Sequence, residues 1–142
     1  MSKAFTKESD DLPDLPIRKL GVPVPELNVV TPEGLRVARE ELDELQQTGG
    51  DPDRIRELSD HLLTATAIEP EDREIVGVGA TVVVEDEGGD QHTYRIVGAI
   101  EADAKRGWIS WMTPLAQKLW GARVGDTVAL PRGEAEVVSV AY

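Results

Sequence analysis

The sequence predicts an α+β fold, in which a short antiparallel helical hairpin precedes a strongly bent antiparallel sheet with one short helix. Three observations lead to this prediction. Apolar residues recur at helical spacing in two consecutive segments between residues 31 and 67. Apolar and polar residues alternate at strand spacing in several segments after residue 76, and a strand, helix and turn pattern runs from Ile109 to Asp126.

Residues 1–30 are predicted to form a flexible, acidic and proline-rich arm. An acidic run from Glu8 to Asp11 is followed by prolines at positions 13, 16, 23 and 25. Proline lacks a backbone N–H and favours extended conformations in the residue before it, so regular structure is disfavoured here. The simplest interpretation is a solvated tail. The alternative is an acidic arm that contacts a basic surface of a partner.

Residues 31–67 are predicted to form a coiled-coil-like helical hairpin. Two sets of apolar residues repeat the same spacing of 3, 4 and 3 residues. They are Leu35, Ala38, Leu42 and Leu45, and then Ile55, Leu58, Leu62 and Ala65. Thr31 and Asp51 are candidate N-caps, each followed by a proline, and Gly49-Gly50 ends the first helix. Neither helix is long enough to be stable alone in water, so the two are expected to pack together.

Residues 68–75 are predicted to be an acidic linker, and residues 76–142 a sheet domain. Four segments of this domain are predicted strands besides Trp108–Trp111. They are Ala80–Glu87, Gln91–Ile100, Thr127–Leu130 and Ala135–Val140. Gly88-Gly89-Asp90 is a predicted turn, and residues 103–106 are polar and turn-like.

The short helix of the sheet domain is predicted to begin at Thr113 as N-cap and Pro114 as first helical residue. Leu115 and Leu119, four residues apart, would share its buried face. Trp120 follows Leu119 directly and is also predicted to lie in the core.

Composition excludes several classes of function. A net charge of −12 argues against autonomous binding to nucleic acid, because phosphates would be repelled. The chain has no cysteine and no apolar run long enough to span a membrane, so a soluble cytoplasmic protein is expected. His61 and His92 each lack a second ligand at metal-site spacing and are expected to be structural or merely exposed. No metal, cofactor or enzymatic activity is predicted.

The stretch ISWMTPLAQKLWGARVGD, from Ile109 to Asp126, carries a family resemblance, together with Gly79-Ala-Thr-Val and Tyr94-Arg-Ile-Val-Gly. It resembles the carboxy-terminal domain of the GreA/GreB transcript-cleavage factors and their Rnk-type relatives, which bind bacterial RNA polymerase. The resemblance covers residues 76–140, with a weaker GreB-like match at residues 1–7 and 31–45. It implies an FKBP-like sheet domain and a monomeric regulator that reaches nucleic acid only through the transcription complex.

The predicted hairpin tip departs from the resembled family. In those factors a much longer hairpin enters the polymerase's secondary channel, and acidic tip residues help to hold a catalytic magnesium ion. Here a helix of about 16 residues extends only roughly 24 Å. The family's acidic tip signature is absent, which leaves Asp51 and Asp53 as weak candidates. Both have a simpler explanation as helix-capping and first-turn carboxylates.

The predicted docking residues match the family better. The resemblance implies that the loop before the short helix contacts the rim of the secondary channel, through an acidic residue, a serine and a proline in succession. The matching residues are Met112, Thr113 and Pro114, so the hydroxyl and the proline are kept and Met112 replaces the acid. With Trp111 they would form an adaptable apolar patch. Trp111 is assigned equally to the core or to this patch.

The leading hypothesis is therefore a factor that binds RNA polymerase core at the secondary-channel rim and regulates elongation without cleaving the transcript. Three alternatives stay open. The first is a true cleavage factor that supplies Asp51 and Asp53, and the second is a prolyl isomerase, suggested by the FKBP-like architecture alone. The third is regulation of nucleoside diphosphate kinase, the role attached to Rnk-type relatives.

Overall fold

The structure, a computed structural model, describes residues 21–142. Its first two helices form the helical hairpin. Its helices are α1, Pro32–Thr48, and α2, Pro52–Thr64. Thr31 and Asp51 cap them as predicted, and Gly49 ends α1 in the left-handed conformation with a φ of 68°. Arg54 of α2 donates two hydrogen bonds to the Glu41 carboxylate of α1, at 2.8 and 2.9 Å, and so fastens the two helices together.

Two very short strands close the base of the hairpin. Strand β1, Val29–Val30, pairs in parallel with β2, Thr66–Ala67. Asn28 donates from Nδ2 to the carbonyl oxygen of His61 at 2.9 Å, and Asn28 and Val30 are only 3% and 1% exposed. The predicted flexible arm is therefore wrong for residues 28–30, which are fixed by this pairing. Residues 1–20 of the predicted arm lie outside the described residues.

The sheet contains five strands. They are β3, Thr81–Asp86; β4, Gln91–Val97; β5, Trp108–Ser110; β6, Thr127–Leu130; and β7, Gly133–Ala141. Their spatial order is β5-β4-β3-β7-β6. A register shift between Val83 and Val84 interrupts the β3–β7 pairing, as expected of a bulge that bends a sheet. This arrangement confirms the α+β fold class.

One strand pair differs from the predicted antiparallel sheet. Strands β4 and β5 are parallel, with Ile96 opposite Ile109. Strand β4 ends at Val97 rather than at Ile100, because the chain turns through two short 3₁₀ segments, Ala99–Glu101 and Ala104–Arg106. These turns carry the chain back along β4, so that β5 begins with Trp108 opposite Arg95 and runs in the same direction as β4.

The hydrophobic core lies between the sheet and the short helix α3, Pro114–Leu119. Ala116 and Leu119 of α3 are fully buried against the sheet. They join a cluster of buried side chains from the strands and adjoining loops: Val76, Ala80, Val82, Val84, Ile96, Ala122, Val128, Ala135 and Val137. In residues 21–142, no helix combines the length and apolar character needed to cross a bilayer.

Candidate docking surface and hairpin tip

Thr113 fixes the start of α3 in space. Its hydroxyl donates to the carbonyl oxygen of Ser110 at 2.9 Å and accepts from the backbone N–H of Ala116 at 3.3 Å. Thr113 thus ties the end of β5 to the first turn of the helix. Since both hydrogen-bonding roles of the hydroxyl are filled, Thr113 supports the neighbouring residues more than it offers a free polar group.

Met112 and Pro114 are exposed on either side of Thr113. Met112 is 48% exposed, while Trp111 is half-buried and packs against the core cluster. The Trp111 carbonyl oxygen accepts from the Gln117 side-chain amide at 2.6 Å, which holds the loop against α3. The buried Trp111 indole N–H has no hydrogen-bond partner in residues 21–142.

Trp120 was predicted to be core, and that prediction is wrong. The residue is 44% exposed, α3 ends at Leu119, and the chain leaves helical geometry after Trp120, which has a ψ of 130°. Gly121 then turns the backbone with a φ of 80°. The Trp120 ring lies beside that of Trp111, with centroids 6.2 Å apart and planes tilted by 50°. This is a favourable aromatic arrangement.

Three exposed residues and one half-buried tryptophan lie around the start and end of α3, and we call this set the α3 surface. It consists of Trp111, Met112, Pro114 and Trp120. The structure therefore brings three of the four predicted docking residues together with one residue that the sequence assigned to the core. Thr113 lies beneath them as a cap.

Asp51 and Asp53 are exposed at the hairpin tip and make a local helix start. The Asp51 carboxylate accepts from the backbone N–H of Asp53 at 2.9 Å. Asp53 lies in the first turn of α2, where a negative charge is favourable. Among residues 21–142, no three side chains of histidine, aspartate or glutamate are grouped so as to hold a metal ion.

A cavity of about 290 Å³ opens on the sheet domain beside α3. Its apolar lining residues include Tyr94, Leu115 and Leu130, and Tyr94 is the one lining residue among Phe, Trp and Tyr. At its rim His92 Nε2 lies 3.1 Å from an Asp86 carboxylate oxygen. This hydrogen bond, helped by the backbone N–H of Asp90, lowers the pKa of Asp86. The aromatic-lined pocket expected of a prolyl isomerase is not formed by these residues.

A second cavity, of about 430 Å³, separates the hairpin from the segment after β4. Trp108 lines it, with the guanidinium groups of Arg95 and Arg106 at 4.8 and 5.0 Å from its ring centroid. Glu101 also lines it and hydrogen-bonds to the hairpin. The sequence assigned none of these four residues to a site, although Arg95 lies in the Tyr94-Arg-Ile-Val-Gly match and Trp108 begins a predicted strand. Their contacts join segments that are distant along the chain or lie in a turn.

The sheet domain also accounts for the family match. A family model described as "Transcription elongation factor, GreA/GreB, C-term" matches residues 70–142, about half of the chain. The chain belongs to the GreA/GreB transcription elongation factor family. The matched part of this GreA/GreB family member contains all five strands of the sheet, α3 and the whole α3 surface.

Relatives match over part of their length. The chain is 55% identical over 69 residues to transcription elongation factor GreA of Anaeromyxobacter sp. (strain K), covering 45% of this chain and 42% of that one. It is 44% identical over 96 residues to GreB of Neisseria meningitidis serogroup B, covering 63% and 59%. The chain thus spans about half the length of these relatives. A solved structure, GreA factor homolog 1 (Gfh1) of Thermus thermophilus, is 28% identical, covers 78% of this chain and 86% of its own, and has a TM-score of 0.44.

Proposed function

We propose that this GreA/GreB family member binds RNA polymerase at the rim of the secondary channel and regulates elongation without stimulating transcript cleavage. The α3 surface is the docking site in this proposal, and Met112 is its central contact. The protein acts as a cytoplasmic monomer and touches nucleic acid only through the transcription complex.

The observation that carries the docking part is the exposure of the α3 surface within the matched family domain. An exposed methionine and tryptophan beside a proline form a deformable apolar patch of the kind enriched at interfaces. The patch is held by a rigid base, since Thr113, Gln117 and the buried face of α3 fix its backbone. A fixed backbone reduces the entropy lost on binding.

The tip of the hairpin supports the absence of cleavage. Asp51 is engaged as a helix cap, and α1 with 17 residues extends only about 26 Å at 1.5 Å per residue. Tip carboxylates that help to hold a magnesium ion must have oxygen atoms free to bind it. The tip offers two exposed carboxylates, one of them engaged in capping.

The test uses backtracked elongation complexes with a limiting amount of a cleavage-competent Gre factor, into which this protein is titrated while RNA shortening is followed. A fall in cleavage is expected, because the protein would occupy the channel rim without tip chemistry. A rise in cleavage that is lost in the D51N/D53N variant would instead establish a cleavage factor. No change at saturating concentration would overturn the proposed docking site.

The docking residues are tested in the same assay with M112E, which places a charge on the α3 surface. Polymerase affinity is expected to fall at least tenfold, since a carboxylate would be desolvated in an apolar contact. L63E is the matched control, because Leu63 is 81% exposed on α2, outside the α3 surface. Equal affinity of M112E and L63E would contradict the assignment.

A further inference from the structure

Glu101 connects the sheet domain to the hairpin through an unusual set of hydrogen bonds. One carboxylate oxygen accepts from the backbone N–H groups of Thr31 and Gly98, each at 2.9 Å. The other accepts from the Thr31 hydroxyl. Thr31 is the N-cap of α1 and is 3% exposed, so this carboxylate meets the hairpin at its first residue.

The hydroxyl group of Thr31 makes two hydrogen bonds, one to the sheet domain and one within α1. Its hydroxyl donates to Glu101 and accepts from the backbone N–H of Gly34 at 2.9 Å. The local cap of α1 and the long-range contact therefore share one hydroxyl. The negative charge of Glu101 also lies at the amino-terminal end of a 17-residue helix, where the helix dipole favours it. Charge-assisted hydrogen bonds of this kind are the stronger class.

Two glycines make the contact sterically possible. A Cβ atom added at Gly34 would overlap the Glu101 carboxylate. A Cβ atom added at Gly98 would overlap the carbonyl oxygen of Val29, in the strand just before Thr31. The hairpin base and the segment after β4 thus approach each other as closely as backbone allows. A further polar contact near this junction, Arg95 with Glu33 at 3.2 Å, involves a glutamate that is 60% exposed.

We infer that Glu101 is a positioning residue whose hydrogen bonds to Thr31 and Gly98, which we call the latch, hold the hairpin in one orientation relative to the sheet domain. Loss of these hydrogen bonds lets the hairpin change its orientation. The 430 Å³ cavity beside Glu101 provides the space into which the hairpin base can move. Residues 68–75, which join β2 to the sheet domain, contain no helix or strand that would hold the direction by itself. The direction of the hairpin therefore depends on contacts at its base, among which the hydrogen bonds of Glu101 join the N-cap of α1 to the sheet domain.

The inference is tested by measuring the distance between spin labels on the hairpin and on the sheet. The chain has no cysteine, so Q47C on α1 and E87C beyond β3 give two unique, exposed labelling sites. The otherwise wild-type protein is expected to give one narrow distance distribution. E101A should broaden it at least twofold or add a second population, and E101Q should fall between the two because its amide oxygen still accepts.

G34A separates the latch from simple loss of folding. Alanine favours a helix over glycine, so this variant should leave α1 at least as helical by circular dichroism. Its added Cβ nevertheless displaces the flexible Glu101 carboxylate from Thr31. Broadening of the distance distribution with unchanged or higher helicity is therefore expected. E33A, which removes the exposed carboxylate near the same junction, is the matched control and should leave the distribution unchanged.

If E101A and G34A give the same spin-label distance distribution as the wild type, Glu101 does not hold the orientation of the hairpin. The test is made on the free protein and does not depend on polymerase. Its consequence for transcription rests on the proposed function: E101A should keep polymerase affinity, because the α3 surface is intact, and should change inhibition of cleavage by threefold or more. Loss of affinity in M112E with normal distances would therefore test docking alone.

Discussion

The hairpin and the sheet domain are stabilised in different ways. The sheet domain has a closed core in which Val82, Ile96 and Leu119 are fully buried. In the hairpin, the buried residues of the two helices are Ala38, Leu58 and His61, and polar links such as Arg54 to Glu41 add to them. Most of the other apolar seam residues are only half-buried: Leu35, Leu42, Leu45, Ile55 and Leu62. The comparison indicates that the sheet domain can hold its shape while the hairpin depends on its base and its ion pairs. The predictions below test this difference, beginning with the largest effect.

The L119A substitution should cause the largest loss of stability, about 3–5 kcal/mol. Leu119 is fully buried between α3 and the sheet, so its removal leaves a cavity that the rigid strands cannot close. The free energy of unfolding is measured by urea denaturation, with L63A as the control at an 81% exposed position. A loss below 1 kcal/mol would mean that α3 is not an integral part of the core.

The L58A substitution should destabilise the hairpin alone, by about 2–3 kcal/mol. Leu58 is as fully buried as Leu119, but it lies on α2 outside the core cluster of the sheet and lines the 430 Å³ cavity, so the site can relax more easily. Native-state hydrogen exchange should show faster exchange for the amides of α1 and α2 while those of β3 and β4 are unchanged. Equal acceleration in the sheet would show that the hairpin and the sheet unfold as one unit.

Elements that are specified by local contacts were predicted from the sequence, and those that depend on long-range contacts were not. Helix starts are encoded locally, so Thr31, Asp51 and Thr113 predicted the three helices correctly. The pairing of Val29 with Thr66 joins residues far apart through strands of two residues, which leave no periodic pattern. The parallel pairing of β4 and β5 depends on two turns whose direction no propensity specifies.

The candidate site was predictable to a similar extent. Met112 and Pro114 were assigned to docking because they align in register with a family motif, in which Met112 replaces the acidic residue and the proline is kept, and this assignment stays a prediction. Trp120 was assigned to the core because it adjoins Leu119, yet the helix ends one residue before it and its side chain is 44% exposed. Glu101 carried no sequence signal, since its role depends on Thr31 and Gly98, and Thr31 is 70 residues away along the chain.

At the hairpin tip, D51A should destabilise α2 by about 1 kcal/mol, because the cap of the Asp53 N–H is lost. D51N should lose much less, since asparagine caps about as well as aspartate. Thermal unfolding and exchange of the α2 amides measure both variants, and D53A serves as the comparison for the helix-dipole effect alone. A large loss in D51N would imply that the charge of Asp51 has a role beyond capping.

The smallest expected effect is a pH dependence of the link between the two helices. The hydrogen bond from Arg54, reinforced by its charge, lowers the pKa of Glu41 below its ordinary value of 4.5. A carboxyl group whose pKa is lowered on folding stabilises the folded state above its unfolded pKa, and this contribution is lost as the pH falls through the folded pKa. Glu41 is 38% exposed, so solvent limits the effect to about 0.5 kcal/mol.

The stability difference between wild type and E41Q should therefore be constant above about pH 5 and shrink below it. The control is E40Q, which removes the exposed partner of Arg36, and its difference in stability from the wild type should be smaller at every pH. A stability difference between wild type and E41Q that persists to pH 2 would exclude Glu41 as the titrating group.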